Sequence, residues 1–288
     1  MEFSGITVAM QTVFDVDGLI DIGGCEELID RYVDAGVHGI LLSSGTGQHA
    51  YLTEGECDLL FSAGIEHIAG RVRVMCQTSA LNQDEMIRRS QTAQDLGADG
   101  VLVLPPFFEG PNDDDGIVAW YAALDSAIDV DIVGYNIPAA TGIELTPSLY
   151  SRLLELKRFT HIKDSSADID KQQALIARGG AVLNGADPTT PFALMAGARG
   201  AIWGGANIVP DLAAQLYELI TTGDWAGALE HWKSIHPLMN FAWQGDYIPI
   251  IYAAAKIMGY GNGITRAPVR PVSPDVVADL QPLLEPLR

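Results

Sequence analysis

Short runs of Val, Ile and Leu alternate with longer stretches whose apolar residues recur every three or four positions, and the alternation persists through most of the 288 residues. The short runs predict strands at 6–11, 39–43, 72–77, 100–104, 131–135, 160–163, 181–184 and 200–203. Between them, Cys25, Leu28, Ile29, Tyr32 and Val33 share one helical face before Gly36, and Met86, Ile87, Ala93 and Leu96 do so before Gly97. A glycine at such a point can take the left-handed conformation that closes a helix. Eight strands at this spacing, separated by helices, predict a (β/α)8 TIM barrel in preference to an open sheet.

After the eighth strand the pattern is helical only, at 210–222, 225–243, 249–258 and 274–287. One helix closes a barrel. Residues 1–224 are therefore expected to form the barrel and 225–288 a C-terminal helical region packed on it, since no Pro-, Gly- or Ser-rich linker separates them.

Hydrophobic residues make up 48% of the chain, enough to fill a core without disulfides or metal. Seventeen Lys and Arg against 37 Asp and Glu give a formal charge of −20. That field repels phosphate backbones and anionic lipid, so nucleic-acid and membrane partners are not expected. A small anion still binds where backbone N–H groups and one cation dominate locally. Cys25, Cys57 and Cys76 form no C-x-x-C pair and read as buried apolar residues of a reducing compartment. With no run as long as a membrane span and no basic segment leading into an apolar one, a soluble cytoplasmic protein is the expectation. The six histidines show no H-E-x-x-H or similar set, so no metal site is expected.

Of five lysines, Lys163 alone follows an apolar strand and precedes a turn. Two readings stand side by side: a rim lysine paired with Asp164, or an amine at the barrel mouth, partly shielded from water, that attacks a ketone. Tyr135 ends the preceding strand, as a core phenol or as a proton shuttle beside that amine. Ser44-Gly45-Thr46-Gly47 follows the second strand, either as a plain Gly-rich turn or as a loop whose N–H and hydroxyl groups grip a carboxylate. It lacks the spacing of a nucleotide-binding loop. Phe107 and Phe108, after the fourth strand, together with Trp203 and Trp243, are candidates for an aromatic pocket wall. His49 beside the loop and His161, alternating with Lys163, are candidate accessory acids or bases.

Gly45-Thr46-Gly47, Tyr135-Asn136-Ile137-Pro138, Ile162-Lys163-Asp164-Ser165, Asn184-Gly185-Ala186-Asp187 and Arg266-Ala267-Pro268-Val269 occur in one order along the chain. In this the sequence resembles the dihydrodipicolinate synthase and N-acetylneuraminate lyase family over almost its whole length. The resemblance implies a class I lyase on a (β/α)8 barrel with extra C-terminal helices, assembled as a homotetramer. It needs no cofactor, because the imine forms on lysine itself. By the same resemblance Lys163 is the Schiff-base lysine and Tyr135 the proton relay. Thr46 matches the second hydroxyl residue of the family's loop, with Ser44 and Gly45 at the preceding positions. Backbone at Gly185 and Ile202 lines a bound 2-oxo acid such as pyruvate.

Departures bear on the substrate. The synthases follow their Y-N-x-P segment with an arginine that grips a carboxylate, whereas Ala139 and Ala140 follow Pro138 here. The family's Tyr-Tyr after strand four, whose second member completes a relay across a subunit boundary, is Phe107-Phe108, and a phenyl ring donates no proton. Gly45 lacks the first loop hydroxyl, and Gln48 replaces a glutamate. The expected activity is reversible cleavage of a 2-oxo acid to pyruvate and an aldehyde of low polarity. The alternatives are a 2-keto-3-deoxy sugar-acid dehydratase, a cyclic imino-acid deaminase and a non-catalytic 2-oxo-acid-binding barrel.

Overall fold

The computed structural model describes residues 3–111 and 113–288; residues 1, 2 and 112, within the expected barrel segment, lie outside it. The strands are β1 (Gly5–Ala9), β2 (Gly39–Leu42), β3 (Arg73–Gln77), β4 (Gly100–Val103), β5 (Asp131–Asn136), β6 (Phe159–Asp164), β7 (Ala181–Asn184) and β8 (Gly200–Trp203). They close in sequence order into a parallel barrel, β8 pairing with β1. The TIM-barrel expectation holds.

Period-two alternation explains the two cores. Ala9, Leu41, Met75, Leu102, Val133, Leu183 and Ile202 point inward and fill the barrel, with Phe3 packed among them. The alternate residues, such as Ile6, Val8, Ile40, Val101, Ile132 and Ile162, face the surrounding helices. Such strands are covered on both sides, which is why they read as continuous apolar runs. One rung above Val133 and His161, Tyr135 of β5 pairs in register with Lys163 of β6.

Several strands leave the ladder a residue or two away from the expected limits, at points where side chains take over their backbone groups. β1 ends at Ala9, and the Gln11 N–H donates to Asn207 Oδ1 at 2.8 Å. β2 ends at Leu42 because Ser43 turns left-handed, φ 51°. Gly97, φ 100°, closes Gln83–Leu96 as expected, and side chains cap other helices at their N-termini. Asp21 caps Ile22–Asp34 by accepting from Gly24 N–H, and Thr53 with Glu56 forms a reciprocal capping box on Glu54–Ile68.

The C-terminal helices are Pro210–Thr221, Trp225–Gln244, Tyr247–Met258 and Pro274–Leu284. The third starts two residues before the expected position, so Pro249 sits in its first turn, where no N–H is needed. It lies across the barrel mouth: the Tyr252 hydroxyl donates to Thr12 O at 2.9 Å and accepts from Thr12 N–H at 3.1 Å. Burying such a ring contributes on the order of 2 kcal/mol. The Trp225–Gln244 helix packs Trp232 against Trp203 of β8, ring centroids 6.3 Å apart. No described helix is long and apolar enough to cross a membrane. All three cysteines are buried free thiols, and burial pushes Cys25 up to about 11.

Candidate active site

A cavity of about 390 Å³ opens at the C-terminal end of the strands. Its floor and walls come from Tyr135 of β5, Lys163 of β6, Gly185 after β7, Ile202 and Gly204 at β8, and Gly45 and Thr46 after β2. Trp243, Tyr247 and Ile248 of the C-terminal helices also line it, and Ile137 and Ser165 complete it. This end of a TIM barrel is where loops of several strands converge.

Lys163 is 6% exposed, and its Nζ lies 4.1 Å from the centroid of the Tyr135 ring. A cation over the face of a phenol is attracted by the ring's quadrupole, which steadies the amine against Tyr135. Asp164 points the other way, as strand alternation requires. Its carboxylate accepts from Asn136 Nδ2 at 2.7 Å and Ser166 Oγ at 2.8 Å, and burial raises its proton affinity against those bonds. The rim ion pair between Lys163 and Asp164 is therefore not formed.

Ser44 and Gly47 support the loop from behind and do not line the cavity. The Ser44 hydroxyl donates to Met10 O at 2.8 Å and accepts from Gly47 N–H at 2.9 Å, and Thr12 Oγ1 donates to Gly47 O at 2.7 Å. A side chain at Gly47 would strike Met10 O at 2.7 Å. Gly45 and Thr46 are thereby presented to the cavity. Gln48 joins the loop to another of the sequence landmarks: its Nε2 donates to Arg266 O at 2.8 Å, and Arg266 N–H returns a bond to its Oε1 at 3.0 Å.

The two phenylalanines expected to wall the pocket do not border it in the single chain. Phe107 is half-buried, while Phe108 is 76% exposed. The reason is backbone geometry: Phe108 and Glu109 both take φ 57°, which turns the loop outward. Of the two tryptophans, Trp243 reaches the cavity and Trp203 is buried behind it. His49 is also structural. Its ring bonds Ser43 Oγ at 2.9 Å and Ser79 O at 2.8 Å, and burial lowers its pKa to about 4, so it stays neutral. His161 sits lower in the barrel, edge-on to Phe3 at 5.6 Å.

Sequence reasoning missed a buried acid. Asp187, wholly buried after β7, accepts from the Tyr247 hydroxyl at 2.9 and 2.8 Å and from Gly205 N–H at 3.1 Å. Burial pushes its carboxyl up to about 7, opposed by Tyr247, Trp203 and the charge of Lys163. Burial and the neighbouring carboxylate push the Tyr247 phenol well above its ordinary value. The sequence signal was the Gly204-Gly205 pair beyond an apolar strand, two positions without side chains facing one carboxyl and one phenol.

The Dihydrodipicolinate synthetase family model matches residues 2–286. The chain belongs to this family. It is 32% identical over 278 residues, 95% of the chain and 92% of the relative, to 4-hydroxy-tetrahydrodipicolinate synthase of Stenotrophomonas maltophilia strain K279a. It superimposes with a TM-score of 0.95 and 27% identity on YagE, a prophage protein of the dihydrodipicolinic acid synthase family from E. coli K12 in complex with pyruvate, covering 100% of this chain and 99% of that one. The same score and identity relate it to the chloride-inhibited dihydrodipicolinate synthase of Acinetobacter baumannii complexed with pyruvate, with 99% and 98% coverage. Among the described residues no group of three or more His, Cys, Asp or Glu side chains could hold a metal ion.

Proposed function

We propose that this family member is a class I lyase that reversibly cleaves a 2-oxo acid to pyruvate and an aldehyde through an imine on Lys163. The observation that carries this reading is the single rung on which Tyr135 and Lys163 meet inside the cavity. The pyruvate bound to two family structures supports a small 2-oxo acid as ligand.

The substrate carboxylate would lie against Gly45 and Thr46, placing its C2 carbonyl at Nζ of Lys163. The amine attacks C2, Tyr135 returns a proton to the departing oxygen, and water leaves. The resulting iminium draws the C3–C4 bonding pair as that bond breaks, giving an enamine of pyruvate and an aldehyde. Hydrolysis then frees pyruvate and the lysine.

Wall chemistry favours an aldehyde without a carboxylate. Among the described lining residues Lys163 is the one cation, and Ile137, Ile202, Trp243 and Ile248 supply apolar surface. Ala139 and Ala140 stand where a synthase carries its arginine, so the second anion of the lysine-biosynthesis substrate has no bidentate donor. Our reading also has 1–224 as the barrel, 225–288 as the helical region over its mouth, and a homotetramer in the cytoplasm. The exposed Phe108 ring, at the family's subunit-boundary position, favours assembly, and three buried reduced thiols favour a reducing compartment.

The test supplies 4-hydroxy-2-oxo acids bearing aryl, alkyl or polyhydroxyalkyl groups and analyses products by mass. Pyruvate with the matching aldehyde is expected. Loss of water with no pyruvate would replace cleavage by dehydration, and release of ammonia from a cyclic imino acid would replace it by deamination.

A further inference from the structure

We infer that the Tyr247 hydroxyl, held by Asp187, is the group that meets the substrate's C4 oxygen and carries its proton during C3–C4 bond cleavage and formation. The inference rests on the lyase reading above and adds the second half of its acid–base chemistry.

Tyr247 lines the same cavity as Lys163, while Asp187, which its hydroxyl bonds, is shut off from solvent. Space for the pair is made by two glycines. A Cβ at Gly204 would fall 2.1 Å from the Tyr247 hydroxyl and 3.0 Å from Thr46 Oγ1. One at Gly205 would fall 2.8 Å from Asp187 Oδ2, 2.9 Å from Trp203 Nε1 and 2.4 Å from the Met239 sulfur. A carboxyl buried this deeply is costly unless bonded, and the phenol and the Gly205 N–H both bond it.

The pair can hold a proton in two places. With Asp187 ionised, Tyr247 donates to it and turns a lone pair toward the cavity. As the C3–C4 bond breaks, the C4 hydroxyl proton passes to the phenol oxygen and the phenol's own proton passes to Asp187. The C4 oxygen becomes the aldehyde carbonyl, and the bonding electrons go to the iminium on Lys163. Condensation runs the same transfers backward. The titratable groups facing the pair from neighbouring strands are Lys163 of β6, which is cationic, and Tyr135 of β5, a neutral phenol, and Asp187 titrates near 7. Cleavage therefore gains as Asp187 ionises, and condensation gains as it is protonated.

The test compares the wild type with Tyr247→Phe and Asp187→Asn in two assays, with thermal unfolding to establish that each variant is folded. One assay is borohydride trapping of pyruvate on Lys163. The other is condensation of pyruvate with glyceraldehyde, butanal and benzaldehyde across the pH range. Tyr247→Phe is expected to slow condensation by about 10²-fold while the rate of trapping changes by less than about threefold. Asp187→Asn is expected to lose the pH limb near 7. Equal losses in both assays would assign Tyr247 to imine formation and overturn the inference. So would unchanged condensation or a retained pH limb. Absence of trapping in the wild type, or trapping without condensation of any aldehyde, would instead bring down the lyase reading itself.

Discussion

Gly185→Ala tests how tightly the reactive amine is placed. A Cβ at that position would lie 2.6 Å from Cε and 3.0 Å from Cγ of Lys163, and 2.2 Å from Ser165 Oγ. Carbon atoms in ordinary contact sit about 3.5–4.0 Å apart, so the carbon bearing the amine must retreat by roughly 1 Å. The Ser165 hydroxyl, which donates to Gly185 O at 3.0 Å, must move as well. The φ of Gly185 lies outside the left-handed region, so the effect comes from the collision and not from backbone strain. A misplacement of about 1 Å at a reacting group costs on the order of 10² in rate. The added volume and the disturbed hydrogen bond together cost about 2–3 kcal/mol of stability, little enough for a protein of this size to remain folded. The assay is the rate of borohydride-trapped pyruvate adduct by intact mass, alongside thermal unfolding. A folded variant that traps pyruvate within about threefold of the wild-type rate would refute the placement of Lys163 against Gly185.

Tyr135→Phe keeps the ring under the lysine and removes the hydroxyl, so turnover is expected to fall by about 10²-fold or more with little change in unfolding temperature; near-normal turnover would reject the relay. Asp187 gives a pH dependence of stability. Its carboxyl binds a proton more tightly in the folded chain, at about 7, than a solvent-exposed aspartate does at 3.8. Its contribution is therefore greatest at low pH and falls as pH rises to about 7, by a few kcal/mol at most. His49, held neutral down to about 4, acts with the opposite sign between 4 and 6.5. The readout is therefore the difference between the wild type and Asp187→Asn, which should favour the wild type more at about pH 5 than at about pH 8; parallel curves would contradict it. Gln48→Ala removes both bonds to the Arg266 backbone and should cost about 2–3 kcal/mol in denaturant unfolding; a loss within about 0.5 kcal/mol would show the clamp to be unimportant.

The barrel was legible because doubly covered strands are short apolar runs, and β7 and β8 appear at their expected limits. Lys163 and Tyr135 were legible because each is a polar residue at the end of such a run, and parallel pairing on adjacent strands brings them together. Side-chain direction within loops was not. The Ser44 hydroxyl serves Met10 and Gly47, and the left-handed turn at Phe108 carries its ring outward, neither of which residue type alone dictates. Tyr247 was hidden because Pro249 reads as a helix start; with the helix beginning at Tyr247, its phenol reaches an acid 60 positions earlier. Such a contact belongs to the closed fold. Only the glycine pair at 204 and 205 left a local trace of it.

The most direct measurement is reduction with borohydride in saturating pyruvate, followed by peptide mass mapping. The account predicts one adduct, of reduced pyruvate imine mass, on the peptide containing Lys163. An unmodified protein, or an adduct on Lys157, Lys171, Lys233 or Lys256 in its place, would contradict it.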